Sequence, residues 1–239
     1  MISLAYLSNN APLYIVHVSS SKTAKLIESI KKRNLNVFGE TCPQYLLLDE
    51  SLYKKQGEER LKYIMSPPLR KKIDNELLWK YINNGTLDTI ATDHCPFDFK
   101  EEKQAGKNDF TKCPNGIPGI EMRIPLLFSE EVMKNRISIN KFVDIISTKP
   151  AKIFGLYPKK GDIKAGCDAD IVIIDPKKEI ILGKDMLHEN VDYTCYEGLK
   201  VNGYPILTMV RGKIIVDNGK FLGEKGYGKF IKRHAFNAE

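Results

Sequence analysis

The chain has 239 residues, of which 42% are hydrophobic and 28% charged, and its formal net charge is +7. This length allows one or two domains with a sizeable core, and the composition excludes disordered, collagen-like and multispanning membrane proteins. The positive charge invites a nucleic-acid interpretation, but the basic residues are scattered among acidic ones, as in Lys100-Glu101-Glu102-Lys103. We therefore expect a globular protein with no nucleic-acid and no membrane partner.

The cysteines and the N-terminus bear on the compartment. Cys42, Cys95, Cys113, Cys167 and Cys195 are far apart and odd in number, which argues against a disulfide framework or a zinc finger. The apolar N-terminus has no basic segment and no small-residue cleavage site, so it does not indicate a secretory signal. A cytoplasmic location is the resulting expectation.

From the N-terminus onward, strands and helices alternate as in a parallel α/β fold. Apolar runs predict buried strands over residues 13–19, 36–41 and 87–92. Ser19 to Ser21 supply an N-cap for a helix that ends near Arg33, and a second helix is predicted over residues 75–81. A β-α-β unit of this kind requires a right-handed crossover and a parallel sheet.

The remainder of the chain changes character twice. Residues 100–119 are polar and rich in Gly and Pro, which predicts a long loop, and helices are predicted over residues 120–135 and 139–147. After residue 155 the pattern predicts an all-β module, with strands at 169–176, 206–211 and 213–216.

These features predict three regions along the chain. Residues 1–155 form an α/β domain, residues 156–218 a β module, and residues 219–239 a C-terminal tail. The tail mixes basic and aromatic residues, so it is either a flexible solvated end or an arm that docks on a neighbouring subunit. The arm is the favoured interpretation.

Chemistry in parallel α/β folds is concentrated at the carboxyl ends of the strands, where the loops converge. This rule brings His17, Glu40-Thr41 and Asp93-His94 to one face. A neutral imidazole and a carboxylate are both good zinc ligands, so the face is a candidate metal site. The alternative is that His17 is a satisfied buried histidine and Asp93 a helix cap.

Two turns have backbones suited to contacting a ligand. The segment from Asn115 to Gly119 has the freedom to present main-chain N–H and C=O groups, and Ser66 is held extended before Pro67-Pro68. Either turn can match the donor and acceptor pattern of a cyclic amide, although ordinary turns have the same composition. A nucleophilic cysteine, Cys42 or Cys95, is a weaker alternative.

Several motifs, in order along nearly the whole chain, resemble the C-terminal half of the dihydropyrimidinase/D-hydantoinase family of cyclic amidohydrolases. The motifs are His17-Val18-Ser19-Ser20, Gly39-Glu40-Thr41-Cys42-Pro43-Gln44-Tyr45-Leu46, Ser66-Pro67-Pro68-Leu69-Arg70, Thr92-Asp93-His94-Cys95-Pro96-Phe97, Phe110-Thr111-Lys112, Pro114-Asn115-Gly116 and Gly166-Cys167-Asp168-Ala169-Asp170-Ile171-Val172. The resemblance implies the last three strands of a metal-dependent (β/α)8 TIM barrel, part of a small β-sandwich, and a homotetramer.

The resemblance also implies roles for individual residues. His17 matches a ligand of the second of two zinc ions, and Asp93 matches a ligand of the first that is also the general base. Ser66 and Asn115 match positions whose backbones bind the ring amide. The implied reaction is hydrolysis of 5,6-dihydropyrimidines or 5-substituted hydantoins to N-carbamoyl amino acids by a zinc-activated hydroxide.

The sequence departs from the family in its metal ligands. The family's His-x-His pair, carboxylated lysine and one further histidine have no counterpart in this chain, and catalytic zinc normally needs three protein ligands. His94 is a poor substitute, because adjacent strand residues point to opposite sides. We therefore expect an N-terminally truncated chain that is inactive alone, which is either a truncated gene product or one part of a split enzyme whose N-terminal half is a separate chain. The alternative is a non-catalytic scaffold or assembly protein.

Overall fold

The computed structural model describes residues 2–236, which divide into two compact units. One unit contains the residues up to Arg123 together with residues 181–199, and the other contains residues 124–180 and those from Lys200 onward. Within the described residues, no helix combines the length and apolar character needed to span a bilayer. The assignment of residues 1–155 and 156–218 to two domains stays a prediction.

Short helices and two separate sheets make up the described chain. The α-helices are α1 (Ile2–Leu7), α2 (Ser21–Lys31), α3 (Pro43–Leu47), α4 (Lys72–Asn83), α5 (Arg123–Leu127), α6 (Ile139–Val143) and α7 (Lys149–Ile153). The strands are β1 (Leu13–Ile15), β2 (Val37–Thr41), β3 (Thr89–Ile90), β4 (Ile171–Ile181), β5 (Lys200–Val210), β6 (Lys213–Asp217) and β7 (Lys220–Phe221).

A parallel sheet of order β1-β2-β3 forms the centre of the first unit, as predicted. Ile15 lies opposite Gly39, and Thr41 lies opposite Ile90. Helix α2 makes the crossover from β1 to β2, and the Ser20 side chain caps it by accepting a hydrogen bond from the Thr23 amide. Its apolar side is buried, which holds the crossover against the sheet.

The connections on this sheet are more structured than predicted. Pro43 begins α3, and 3-10 helices follow at Glu50–Lys54 and Gly57–Tyr63. The predicted loop over residues 100–119 contains two further 3-10 helices, Glu102–Gly106 and Phe110–Lys112. The polar composition of this segment does not predict these helices, since polar residues are usually exposed and Lys103 within the segment is fully buried.

The second unit contains a sheet of order β4-β5-β6-β7, in which β5 pairs antiparallel with β6 and β6 with β7. Strand β4 continues past Pro176, where the sequence predicted its end. The residue is tolerated there because β4 is an edge strand and needs fewer ladder donors. The helix predicted over residues 120–135 instead begins at Arg123, which leaves Pro125 in the first turn.

The tail packs on its own unit along part of its length. The Tyr227 hydroxyl donates to the Val210 carbonyl at 3.1 Å, and the Arg211 guanidinium lies 4.4 Å from the Tyr227 ring centroid. The His234 amide donates to the Gly155 carbonyl at 2.8 Å. Between these contacts Phe230 is 94% exposed, so docking of the tail on another subunit stays a prediction.

Candidate active site

The carboxyl edge of the parallel sheet carries the two predicted metal ligands, His17 and Asp93. His17 follows β1 and Asp93 follows β3, so the two flank β2 at the same edge. Neighbouring strands lie about 4.8 Å apart, which separates the ends of β1 and β3 by about 10 Å. Both residues have left-handed backbones, with φ of 41° and 51°, where the chain leaves the sheet. Non-glycine residues in this conformation cluster at functional sites.

Cys42 immediately follows β2, the strand between β1 and β3, and lies near the charges of Glu40 and Asp93. Burial raises the pKa of the Cys42 thiol, and the negative charges of Glu40 and Asp93 raise it further. A thiol held protonated in this way is a poor nucleophile, which disfavours the cysteine alternative at Cys42. The Glu40 carboxylate accepts a 2.6 Å hydrogen bond from the Tyr14 hydroxyl on β1, so it is engaged within the sheet.

Helix α3 links the end of β3 to the segment that carries Ser66. The Gln44 amide donates to the Thr92 carbonyl at 3.1 Å, one residue before Asp93. The hydroxyl of the adjacent Tyr45 donates to the Pro67 carbonyl at 2.9 Å. Both side chains are buried, so these two hydrogen bonds fix the two segments relative to one another.

Ser66 and Asn115 line one cavity of about 630 Å³ in the first unit. Its other lining is largely apolar and includes Tyr53, Leu61 and Phe110. Ser66 and Asn115 are themselves exposed, which leaves their backbones accessible to a small molecule. The structure thus brings the two predicted ring-binding positions to the same concave surface.

The segment after Asn115 is held between two others. The Gly116 amide donates to the Ile64 carbonyl at 3.2 Å, and the Cys95 amide donates to the Ile117 carbonyl at 3.1 Å. Gly116 approaches Cys95 so closely that a Cβ atom at this position would lie 2.4 Å from the Cys95 carbonyl oxygen. This glycine therefore sets how near Asn115 lies to the loop of Asp93.

His94 has a structural role in this arrangement. Its Nδ1 atom accepts hydrogen bonds from the amides of Gly119 at 3.1 Å and Ile120 at 3.3 Å. The Nδ1 lone pair is thereby used to hold the loop that carries Asn115. On the other side of the site, the Arg70 guanidinium donates to the Ser19 hydroxyl at 3.2 Å, which connects the Ser66 segment to the loop of His17.

The Amidohydrolase family model matches residues 15–215, which is most of the chain. The chain belongs to the amidohydrolase family. It is 50% identical to the D-hydantoinase of Geobacillus stearothermophilus over 226 residues, covering 95% of this chain and 48% of that relative. It is 44% identical to an Escherichia coli D-phenylhydantoinase over 236 residues, covering 99% of this chain and 51% of that relative.

The solved structure of a dihydropyrimidinase from Brevibacillus agri superposes with a TM-score of 0.97 at 47% identity, covering 100% of this chain and 51% of that one. The resemblance to dihydropyrimidinases and D-hydantoinases is thereby confirmed. The chain spans about half the length of the curated relatives it matches.

Amidohydrolases are generally metal-dependent. Within residues 2–236, no three His, Cys, Asp or Glu side chains come together as a metal-binding group.

Sequence reasoning missed four polar residues that hold the segments of the candidate site. Gln44 and Tyr45 were noticed only as parts of a motif, and Lys103 only as part of a mixed charge run. Arg123, whose guanidinium donates to the Ile90 carbonyl at 2.9 Å at the end of β3, carried no signal of its own. All four donate to backbone carbonyls, and sequence patterns do not reveal such long-range pairings.

Proposed function

We propose that these residues form one half of the active site of a cyclic amidohydrolase of the dihydropyrimidinase and hydantoinase type. The substrates are 5,6-dihydropyrimidines or 5-substituted hydantoins, and the products are N-carbamoyl amino acids. The observation that carries the proposal is the hydrogen-bonded connection of four segments, those of His17, Ser66, Asp93 and Asn115, around one sheet edge. A protein with only an assembly role has no need of this arrangement.

The roles follow from what each segment presents. Backbone groups at Ser66 and Asn115 hold the ring amide through its N–H and C=O. Asp93 accepts a proton from the attacking water and returns it to the ring nitrogen as the C–N bond breaks. The water oxygen becomes part of the new carboxylate, and the ring nitrogen becomes part of the carbamoyl group.

In this proposal, the metal site is shared between this chain and an N-terminal half, and each supplies part of the ligands. The resemblance implies two zinc ions, and His17 and Asp93 are the ligands that this chain supplies. The remaining ligands come from an N-terminal half, so the chain alone neither holds the metal fully nor turns over substrate.

The proposal also includes the fold, the oligomeric state and the cellular location. The parallel sheet is the portion of the TIM barrel matching its last three strands, β4 to β7 are part of the β-sandwich, and the tail is an arm in a homo-oligomer. A cytoplasmic location is supported by the cysteines, since Cys42, Cys95, Cys113, Cys167 and Cys195 are all free thiols.

The test is hydrolysis of hydantoin and dihydrouracil by the chain co-produced with the N-terminal half of a D-hydantoinase. We expect turnover by this assembly, and a loss of kcat of about a thousandfold in its Asp93→Asn variant because the proton acceptor is removed. The matched control is Asp217→Asn, an exposed aspartate at the end of β6, which leaves kcat within about twofold.

An inactive assembly with a correctly folded chain contradicts the proposal and favours the scaffold alternative. Full activity of Asp93→Asn removes Asp93 from the proposed proton transfer. Activity with only one of the two substrates identifies the ring that the site prefers.

A further inference from the structure

Lys103 is a charged residue in an unusual environment. Its side chain is fully buried within the 3-10 helix Glu102–Gly106. The ammonium donates to the Ile64 carbonyl at 2.7 Å and to the Pro114 carbonyl at 2.8 Å, and it lies 5.8 Å from the Phe97 ring centroid. The ammonium therefore has two carbonyl acceptors and an aromatic ring within cation–π distance.

The two carbonyls belong to the segments that present the proposed ring-binding backbones. Ile64 precedes Ser66 by two residues, and Pro114 immediately precedes Asn115. The Ile64 carbonyl also accepts the Gly116 amide at 3.2 Å, so Lys103 and Gly116 converge on one oxygen. A single ammonium therefore bridges the two segments directly behind the cavity that Ser66 and Asn115 line.

Burying the Lys103 ammonium costs desolvation free energy. This cost argues that the lysine has a specific role. Burial lowers the pKa of Lys103, because the protein interior solvates its charge less well than water does. An apolar side chain would fill the space without that penalty, but it would remove the ammonium donor from the Pro114 carbonyl and leave the Ile64 carbonyl with the Gly116 amide.

We infer that Lys103 is a positioning residue that sets the spacing between the Ser66 and Asn115 backbones and thereby the affinity for the ring amide. The inference rests on the proposed function for its substrate. Lys103 does not touch the reacting atoms, so its loss weakens ring binding more than it slows the chemical step.

The first test uses the chain co-produced with the N-terminal half of a D-hydantoinase, in wild-type, Lys103→Met and Lys103→Gln forms. With hydantoin as substrate, we expect Lys103→Met to raise KM about tenfold or more while kcat stays within about threefold. Zinc content stays at the wild-type value, because neither His17 nor Asp93 contacts Lys103. Lys103→Gln keeps N–H donors on a shorter side chain, so its KM lies between the KM values of the wild type and of Lys103→Met.

The matched control is Lys100→Met, which removes an exposed lysine three residues earlier in the same segment. Its KM and kcat equal those of the wild type. A folded Lys103→Met assembly with unchanged KM overturns the inference, as does an equal fall in kcat with no change in KM.

The second test needs no activity. Amide hydrogen exchange of the chain is compared between wild type and Lys103→Met, or Lys103→Gln if the Met variant does not fold. We expect faster exchange in peptides covering residues 64–69 and 113–118, and unchanged exchange in residues 200–210. If the wild-type assembly is inactive, the proposed function fails, and hydrogen exchange alone tests the role of Lys103. Unchanged exchange rates in residues 64–69 and 113–118 of the variant then overturn the inference that Lys103 positions these segments.

Discussion

Each of the two compact units buries a charged residue completely, and the two residues are treated in opposite ways. Lys103 in the first unit and Glu131 in the second both have 0% of their surface exposed. Lys103 donates to two carbonyls, whereas neither carboxylate oxygen of Glu131 has a hydrogen-bond partner among the described residues. Burial lowers the pKa of Lys103 and raises the pKa of Glu131 to about 8.

The difference shows that hydrogen-bond partners, more than burial, decide whether a buried ionisable group stabilises or destabilises the fold. A satisfied cation can tie segments together, because its removal leaves carbonyls without a donor. An unsatisfied carboxylate only adds a desolvation cost, which the protein lowers by keeping the group protonated. The same replacement by methionine therefore has opposite signs at the two positions.

The largest expected effect is at Glu131. Its pKa in the folded state, about 8, lies above the ordinary value of 4.5, so between these pH values the folded state binds more protons than the unfolded state. Stability therefore falls as pH rises through this window, by as much as about 5 kcal/mol. Glu131→Met removes that fall, so the urea midpoint at pH 8 rises above that of the wild type.

The neighbouring Glu130 provides the control for this comparison. It forms a partly exposed ion pair with Lys134 at 2.6 Å, so Glu130→Gln changes stability by only about 0.5 kcal/mol and keeps the wild-type pH dependence. If Glu131→Met shows the same decline between pH 5 and 8 as the wild type, Glu131 is not its source.

The second effect is at Lys103 and has the opposite sign. Lys103→Met destabilises the chain by about 3 kcal/mol, because it removes the charged donor of the Pro114 carbonyl and one of the two donors of the Ile64 carbonyl. Urea unfolding at pH 7 measures it, with Lys100→Met as the unaffected control. A Lys103→Met variant as stable as the wild type would contradict the claim that methionine has opposite effects on stability at Lys103 and Glu131.

The smallest effect is at Tyr45, a buried neutral donor with one carbonyl partner, Pro67. Tyr45→Phe keeps the ring and removes only this hydrogen bond, so it costs about 1 kcal/mol. Tyr81→Phe on α4 is the matched control and is close to neutral by the same urea assay. A loss at Tyr45 as large as that at Lys103 would mean that charge adds nothing to the carbonyl contact.

The elements with strong local signals could be predicted from the sequence. Runs of β-branched residues located β1, β2 and β3 in order, and the serines before α2 located its cap. Boundaries were less accurate, since β5 begins at Lys200 and passes through Pro205, which local patterns disfavour inside a strand. Pairing with β6 covers Leu207 to Val210, so Pro205 precedes that paired stretch.

The positions of the candidate site residues were predictable from the sequence, and the contacts that support them were less so. The carboxyl-end rule brought His17 and Asp93 to one edge, and turn chemistry singled out Ser66 and Asn115. The polarity of residues 100–119 predicted a long loop and gave no sign that Lys103 within it is buried. A lysine satisfied by carbonyls distant in sequence has the same local pattern as an exposed one, so only the fold reveals it.

The most direct test of the half-site account is elemental analysis of zinc, combined with hydantoin hydrolysis, for the purified chain alone and for the co-produced assembly. The account predicts no stoichiometric zinc and no turnover for the chain alone, and both for the assembly, since His17 and Asp93 are too few ligands for a catalytic zinc. Stoichiometric zinc with turnover by the chain alone would contradict it.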